Sequence, residues 1–415
     1  MEGSSVPGGR EMTRERVLVA TIVVATVFAF YLPSSVSAVI SRPLGVLSIA
    51  GTCVLLAVIW AASERRTPML NVAAALGIGL LLAFFTVTSP FEAIAPGVTM
   101  LYLALMLLFL LDLRQLRTRT VERAFVVITL VSLGLGYALA LNVQVTDRLL
   151  VQWYGAFYPE LLGNMVVLDD KPVLTFATHS MAGFMIYLFF FMHLRAWEAR
   201  GNWWRLGAAV AFVGLLALLR STTGQAFAAV AGLQLLRLVR FVPARLRTLA
   251  VVALLVAGYG VFVARGTDVE ALAARVSEAV VGDRVRGLFS RYATDGLLAS
   301  SINYLSDSPF TPIGLGATDT LYLGDSGVVV NALRGSVPLL LAVYGGLWLF
   351  LVSNLASRRT AAWIWFCTVL FEIGFTPLQY FRFVAFVPFL VVYLNTAATA
   401  GPRVPAILGG QRAPG

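Results

Sequence analysis

Nine side chains capable of chemistry stand where the long apolar runs of this chain are interrupted or ended. Six are basic: Lys171, Arg220, Arg284, Arg291, Arg334 and Arg382. Guanidinium forks hold phosphate or pyrophosphate oxygens bidentately and cannot lose their proton, so such a set suits binding an anion and stabilising a pyrophosphate leaving group. The other three, Asp325, His179 and Glu372, are of the types that accept the proton of an attacking hydroxyl. Glu372 lies inside an apolar run, where a carboxylate is expensive and faces either a cationic partner, here Arg382 or Arg220, or a wet pocket with a direct role. His179, at the outer mouth of its run, is read either as a satisfied buried histidine or as a base. His193, near the inner end, is read as a snorkelling interface residue. Cys53 and Cys367 sit in apolar runs as packing residues, and with no His-x-x-x-His spacing the usual zinc ligand sets are missing. No phosphate-binding Gly-x-x-x-x-Gly-Lys-Ser/Thr loop occurs either.

The elements that position these groups are spans of a membrane. Of 415 residues, 59% are hydrophobic and 13% charged, against about 25% charged in a soluble domain. Apolar runs between charge clusters predict twelve spans, near 17–32, 43–62, 69–88, 97–112, 124–142, 173–194, 206–219, 222–238, 248–264, 335–353, 361–377 and 383–398. With the N-terminus inside, the inner segments carry 20 of the 31 Lys and Arg although the outer segments are longer, as the positive-inside rule requires. The net charge of +10 is therefore a topology signal and gives no footing for nucleic acid. The chain divides into a cytoplasmic tail (1–16), nine spans (17–264), a large outer loop (265–334), three spans (335–398) and a second cytoplasmic tail (399–415). The basic start, first apolar run and small residues 34–38 also fit a cleavable signal peptide, whose removal would leave the later spans oriented as before.

Two outer segments exceed plain connectors. In 143–172, Trp153, Tyr154, Phe157 and Tyr158 read as an interfacial aromatic belt, with sugar stacking as the alternative. In 265–334, Val269, Leu272, Val276 and Val280 predict an amphipathic helix, and Leu288, Tyr292, Leu298, Ile302 and Leu305 a second helical stretch. Pro309, Pro312, Gly314, Gly316, Gly324 and Gly327 then predict a structured irregular loop that re-enters toward the next span. Irregular backbone at that depth is tolerated only where protein or a wet cavity encloses it.

Four stretches, in order across roughly 170–345, carry a resemblance. They are Lys171-Pro172-Val173-Leu174-Thr175-Phe176 with Thr178-His179-Ser180; Leu219-Arg220-Ser221-Thr222-Thr223-Gly224; Ser290-Arg291-Tyr292 through Asp307-Ser308-Pro309-Phe310 to Gly314-Leu315-Gly316; and Gly324-Asp325-Ser326-Gly327 with Leu333-Arg334-Gly335 and Pro338. Together they resemble the O-antigen polymerase and O-antigen ligase superfamily, Wzy-type polysaccharide polymerases in particular. The resemblance implies an all-α integral membrane protein of about twelve transmembrane helices with a large, partly helical periplasmic loop, in a GT-C-like glycosyltransferase architecture. It also implies a bacterial inner-membrane location with the site facing the periplasm. The implied activity is metal-independent, inverting glycosyl transfer without a cofactor, using undecaprenyl-pyrophosphate-linked oligosaccharides in O-antigen or exopolysaccharide biosynthesis, with a flippase and a chain-length regulator as partners. Arg291 matches the arginine associated with the donor pyrophosphate, joined by Lys171 or Arg220, and Asp325 or His179 would orient or deprotonate the acceptor. Where ligases carry His-Asn this chain has Asp325-Ser326, which favours a polymerase over transfer of finished glycan to a lipid or protein.

A twelve-span transporter or flippase fits the helix count, but no internal halves are visible and the candidate charges cluster at the outer face, not mid-membrane. A purely structural scaffold gives no reason for arginines around an irregular outer loop.

Overall fold

The structure, a computed structural model, describes residues 8–31, 43–63, 67–91, 93–141, 143, 145, 146, 148, 174–176, 178–219, 222–239, 292, 293, 296–309, 311–318, 320, 321, 323 and 326–399. Among them the chain is all-helical: α1 (Gly8–Tyr31), α2 (Pro43–Ala62), α3 (Met69–Thr88), α4 (Pro96–Phe109), α5 (Arg119–Ala140), α6 (His179–Arg200), α7 (Trp203–Leu218), α8 (Thr222–Val239), α9 (Ala299–Asp307), α10 (Gly327–Asn354), α11 (Arg358–Glu372) and α12 (Phe381–Ala398), with a 3-10 turn at Pro377–Gln379. Eleven of the twelve anticipated spans coincide with helices, α9 realises the second helical stretch of the outer loop, and the expected span 248–264 and amphipathic helix near 269–280 lie outside the described residues.

Four of these helices, α3, α5, α10 and α12, are long and apolar enough to cross a membrane, and shorter apolar helices cover Leu47–Ala62, Pro96–Phe109, Trp203–Leu218 and Thr223–Leu236. Their outward faces carry large apolar side chains: Leu80, Phe84, Leu130 and Leu341 are all more than 60% exposed. In water, leaving such groups outside forfeits about 1.5–3 kcal/mol each, whereas hydrocarbon is their natural solvent. The molecule is a multi-pass α-helical membrane protein.

α12 forms the centre, packed by α1, α2, α4, α5 and α6. Its sequence is apolar on every face and Phe381–Ala397 is buried throughout. α6 supplies the second buried column, with Phe184 stacked on Phe371 at 4.6 Å and Phe189 against Phe386 at 5.9 Å.

Helix limits follow the caps. α6 begins at His179, six residues after the start of the span expected at 173–194, because the Thr178 side chain accepts from the Met181 amide. It continues to Arg200 and stops at Gly201, whose φ of 67° is the left-handed C-terminal conformation. That extension corrects the reading of His193: two turns from the helix end, the ring is fully buried, 4.6 Å from the Phe125 ring, with Nε2 2.8 Å from Thr129 Oγ1. α10 breaks at Gly335–Ser336, and Pro338 follows where a helix restarts and its missing N–H costs nothing. The span anticipated at 335–353 is thus the part beyond the kink, and 327–334 is a separate helical segment of the outer end.

The segments assigned to the inside by charge meet at one end of the bundle. Arg14 Nε donates to the Ala62 carbonyl at 2.6 Å, Arg114 Nε to the Ser353 carbonyl at 2.7 Å, and the Leu113 amide to Asn354 Oδ1 at 2.5 Å. Glu122 and Arg200 pair there at 2.5 Å. The loop between α9 and α10, the α3–α4 connection and the α11–α12 connection occupy the opposite end.

Candidate functional site

At that opposite end, residues 311–318 are woven into the bundle by backbone. The Ile313 amide donates to the Leu333 carbonyl at 2.8 Å and the Gly314 amide to the Arg334 carbonyl at 3.1 Å. On the other side the Leu315 amide meets Thr86 Oγ1 at 2.9 Å, the Ala95 amide donates to the Leu315 carbonyl at 2.9 Å, and the Ala317 amide donates to the Ala93 carbonyl at 2.6 Å. Gly314 has φ 55°, and a β-carbon there would stand 2.5 Å from the Thr86 nitrogen. The Gly-x-Gly sequence therefore serves a close approach of two backbones.

Arg334 locks this arrangement. Its guanidinium is 2% exposed, and Nη1 donates to the Gly314 carbonyl at 2.8 Å and the Gly316 carbonyl at 3.4 Å. A buried guanidinium is retained where carbonyl acceptors surround it, and here they belong to the loop itself. Beneath lies a small second core of Leu298, Ile313, Val329 and Leu333.

Glu372, the last residue of α11, is wholly buried. Its Oε1 accepts from the Leu378 amide at 2.7 Å and its Oε2 from the Tyr344 hydroxyl at 3.0 Å, while its carbonyl accepts from Ser326 Oγ at 3.3 Å. Ser326 caps α10 through the Val329 amide, and a β-carbon on Gly327 would fall 1.6 Å from Glu372 Oε2. The carboxylate thus rests against the amino end of α10, where the helix dipole favours negative charge. Neither ion pair found among the described residues includes Glu372; both lie at the inner end. The cationic partner anticipated in Arg382 is engaged elsewhere, and Arg220 lies outside the described residues.

Tyr102 of α4 reaches the first segment of α10, its hydroxyl donating to Asn331 Oδ1 at 2.6 Å. Asn331 Nδ2 is buried and makes no hydrogen bond of ordinary geometry among the described residues. Tyr292 completes the group, its hydroxyl 3.0 Å from Ser326 Oγ and bonded to the Ile373 carbonyl.

Arg382 belongs to a neighbouring cluster. Fully buried, it donates to the Thr175 carbonyl and lies 6.0 Å above the Phe176 ring, and Tyr380 donates to the Phe176 carbonyl at 3.2 Å. The two clamp the segment that leads to Thr178 and the exposed His179 at the first position of α6. The α11–α12 connection links both clusters, since Leu378 serves Glu372 and Tyr380 serves Phe176.

The structure therefore sets Glu372 and Tyr344 against the start of α10, Arg334 and the Asn331–Tyr102 pair further along the same segment, and Arg382 at the approach to α6. Lys171, Arg220, Arg284, Arg291 and Asp325 lie outside the described residues. Sequence reasoning missed Tyr102, Asn331 and Tyr344. Asn331, a lone amide among Val330, Ala332 and Leu333, was the readable signal; a tyrosine in an apolar run gives none. No protein-family model, curated protein or solved structure matches the chain.

Proposed function

We propose that this protein is a glycan polymerase of the bacterial inner membrane, with a GT-C-like architecture and its site facing the periplasm. It transfers a growing chain from undecaprenyl pyrophosphate onto a lipid-linked repeat unit, in O-antigen or exopolysaccharide synthesis. The acceptor hydroxyl oxygen bonds to the donor's anomeric carbon. The bond from that carbon to the phosphate oxygen breaks, its electron pair leaving with undecaprenyl pyrophosphate, and the hydroxyl proton passes to a base. Arg291 with Lys171 or Arg220 holds the diphosphate, and Asp325 or His179 takes the proton. Outside the membrane there is no ATP, and a donor of this kind arrives already activated.

The observation that carries the reading is the loop 311–318, fixed by the buried Arg334, at the same end of the bundle as a buried Glu372 that has no ionic partner among the described residues. Such irregular, charged backbone at the end of a membrane bundle is costly and serves a site better than a scaffold. In this reading Arg334 positions the loop, and Glu372 positions the amino end of α10, at Ser326 next to Asp325 in the chain. A deletion strain should accumulate single lipid-linked repeats, and complementation with Arg291→Ala should restore protein level but no polymer on a gel. Full-length unattached chains in the deletion strain would indicate ligation instead, and a normal ladder from Arg291→Ala would remove that residue from the mechanism.

A further inference from the structure

At the break in α10, Ser336 has φ 53° and ψ −159°, a region that glycine alone enters freely, so an L residue held there is strained. Gly335 beside it has φ −160°, which any residue adopts. Bonds to the outer loop hold the break in place. The Ile313 amide donates to the Leu333 carbonyl at 2.8 Å, the Gly314 amide to the Arg334 carbonyl at 3.1 Å, and Ser336 Oγ to the Pro309 carbonyl at 2.7 Å. In an unbroken helix the Leu333 carbonyl would instead accept from the Val337 amide. The Arg334 carbonyl would have no helical partner, because residue 338 is proline, whose ring also crowds that carbonyl. Each arrangement therefore has one backbone cost: strain at Ser336 when α10 is broken, and an unpaired carbonyl when it is continuous, which membrane helices tolerate.

Strained residues persist where their surroundings over-determine them, and they cluster at switch regions. We infer that Gly335–Ser336 is a two-state joint: in the second state α10 runs unbroken from Gly327, and segment 327–334 swings off loop 311–318 and off Glu372 together. The segment is a short helical lever held at both ends. Near the joint, Arg334 holds the Gly314 and Gly316 carbonyls. At the far end the Gly327 amide donates to the Phe375 carbonyl at 3.0 Å, and a β-carbon on Gly327 would fall 1.6 Å from Glu372 Oε2. One rotation breaks both sets of contacts and uncovers Glu372 and Asn331, which are buried in the broken state. The joint is independent of the chemistry proposed at this end.

The test is hydrogen–deuterium exchange on the full chain in lipid nanodiscs, followed in peptides covering 311–318 and 327–334, with the buried α12 as internal reference. In the wild type the two peptides should open together and ahead of α12. Ser336→Gly and Ser336→Ala both lose the bond to Pro309, but glycine relieves the strain and disfavours a continuous helix, whereas alanine favours one. The glycine variant should therefore exchange about tenfold more slowly than the alanine variant in both peptides. Gly327→Ala, whose new β-carbon meets Glu372 first, should quicken exchange in 311–318 as well as in 327–334. Equal exchange in the two Ser336 variants, independent opening of the two wild-type peptides, or a Gly327→Ala protein that loosens 327–334 alone would overturn the proposal.

Discussion

Arg334→Ala should abolish polymer formation and lower the stability of the purified protein. The substitution strands the carbonyls of Gly314 and Gly316, both held by Nη1. A buried acceptor left unpaired costs about 1–3 kcal/mol, so the two together cost about 2–6 kcal/mol. The loss falls on residues 311–318, whose remaining anchors are the Thr86 hydroxyl of α3, two backbone bonds to the α3–α4 connection and two to α10. Arg334→Lys keeps the charge but replaces a planar fork by a point donor, so it should recover only part of the stability. Thermal unfolding in detergent and the glycan ladder of complemented cells give the two readouts. If Arg334→Ala melted like the wild type, Arg334 would not be the anchor of the loop.

Glu372 separates a positioning role from a chemical one. Glu372→Ala leaves the Leu378 amide and the Tyr344 hydroxyl without their acceptor and frees the contact with Gly327. The expected result is a loss of about 2–6 kcal/mol by the same reasoning and a ladder reduced to its shortest members. Glu372→Gln retains an acceptor for the Leu378 amide and the same shape, and should restore most of both. A glutamine variant that is fully stable yet as inactive as alanine would mean the charge itself acts in the reaction, since loss of a general base typically costs about 10²–10⁴-fold.

Much of this molecule was legible in its sequence because lipid imposes one rule on every span. Apolar runs of about 20 residues can satisfy their backbone only as helices, and α2 and α3 occupy the residues anticipated for them. Errors arose at ends, where single side chains decide. Thr178 delays α6, Gly201 prolongs it, and the prolongation buries His193. The irregular loop is legible from its prolines and glycines, but not the reason for Gly314, which is the α3 backbone more than 200 residues away at Thr86, nor that for Gly316, which is the Ile313 carbonyl and Phe91. The chemistry of arginine alone points to anion ligands. For Arg334 and Arg382 the acceptors are main-chain carbonyls, and a sequence does not announce which carbonyls a fold leaves unpaired. Glu372 was recognised as costly, but its compensation comes from an amide, a tyrosine and a helix end, all of which depend on tertiary contact.

On this proposal the outer end joins sugars released from a lipid diphosphate. It is tested most directly with purified protein in lipid vesicles supplied with an undecaprenyl-pyrophosphate-linked repeat unit and no other energy source. Chains of two or more repeats, formed together with free undecaprenyl pyrophosphate, are the predicted result. Lipid-linked repeats that cross the vesicle membrane while remaining single would contradict it and identify a transporter.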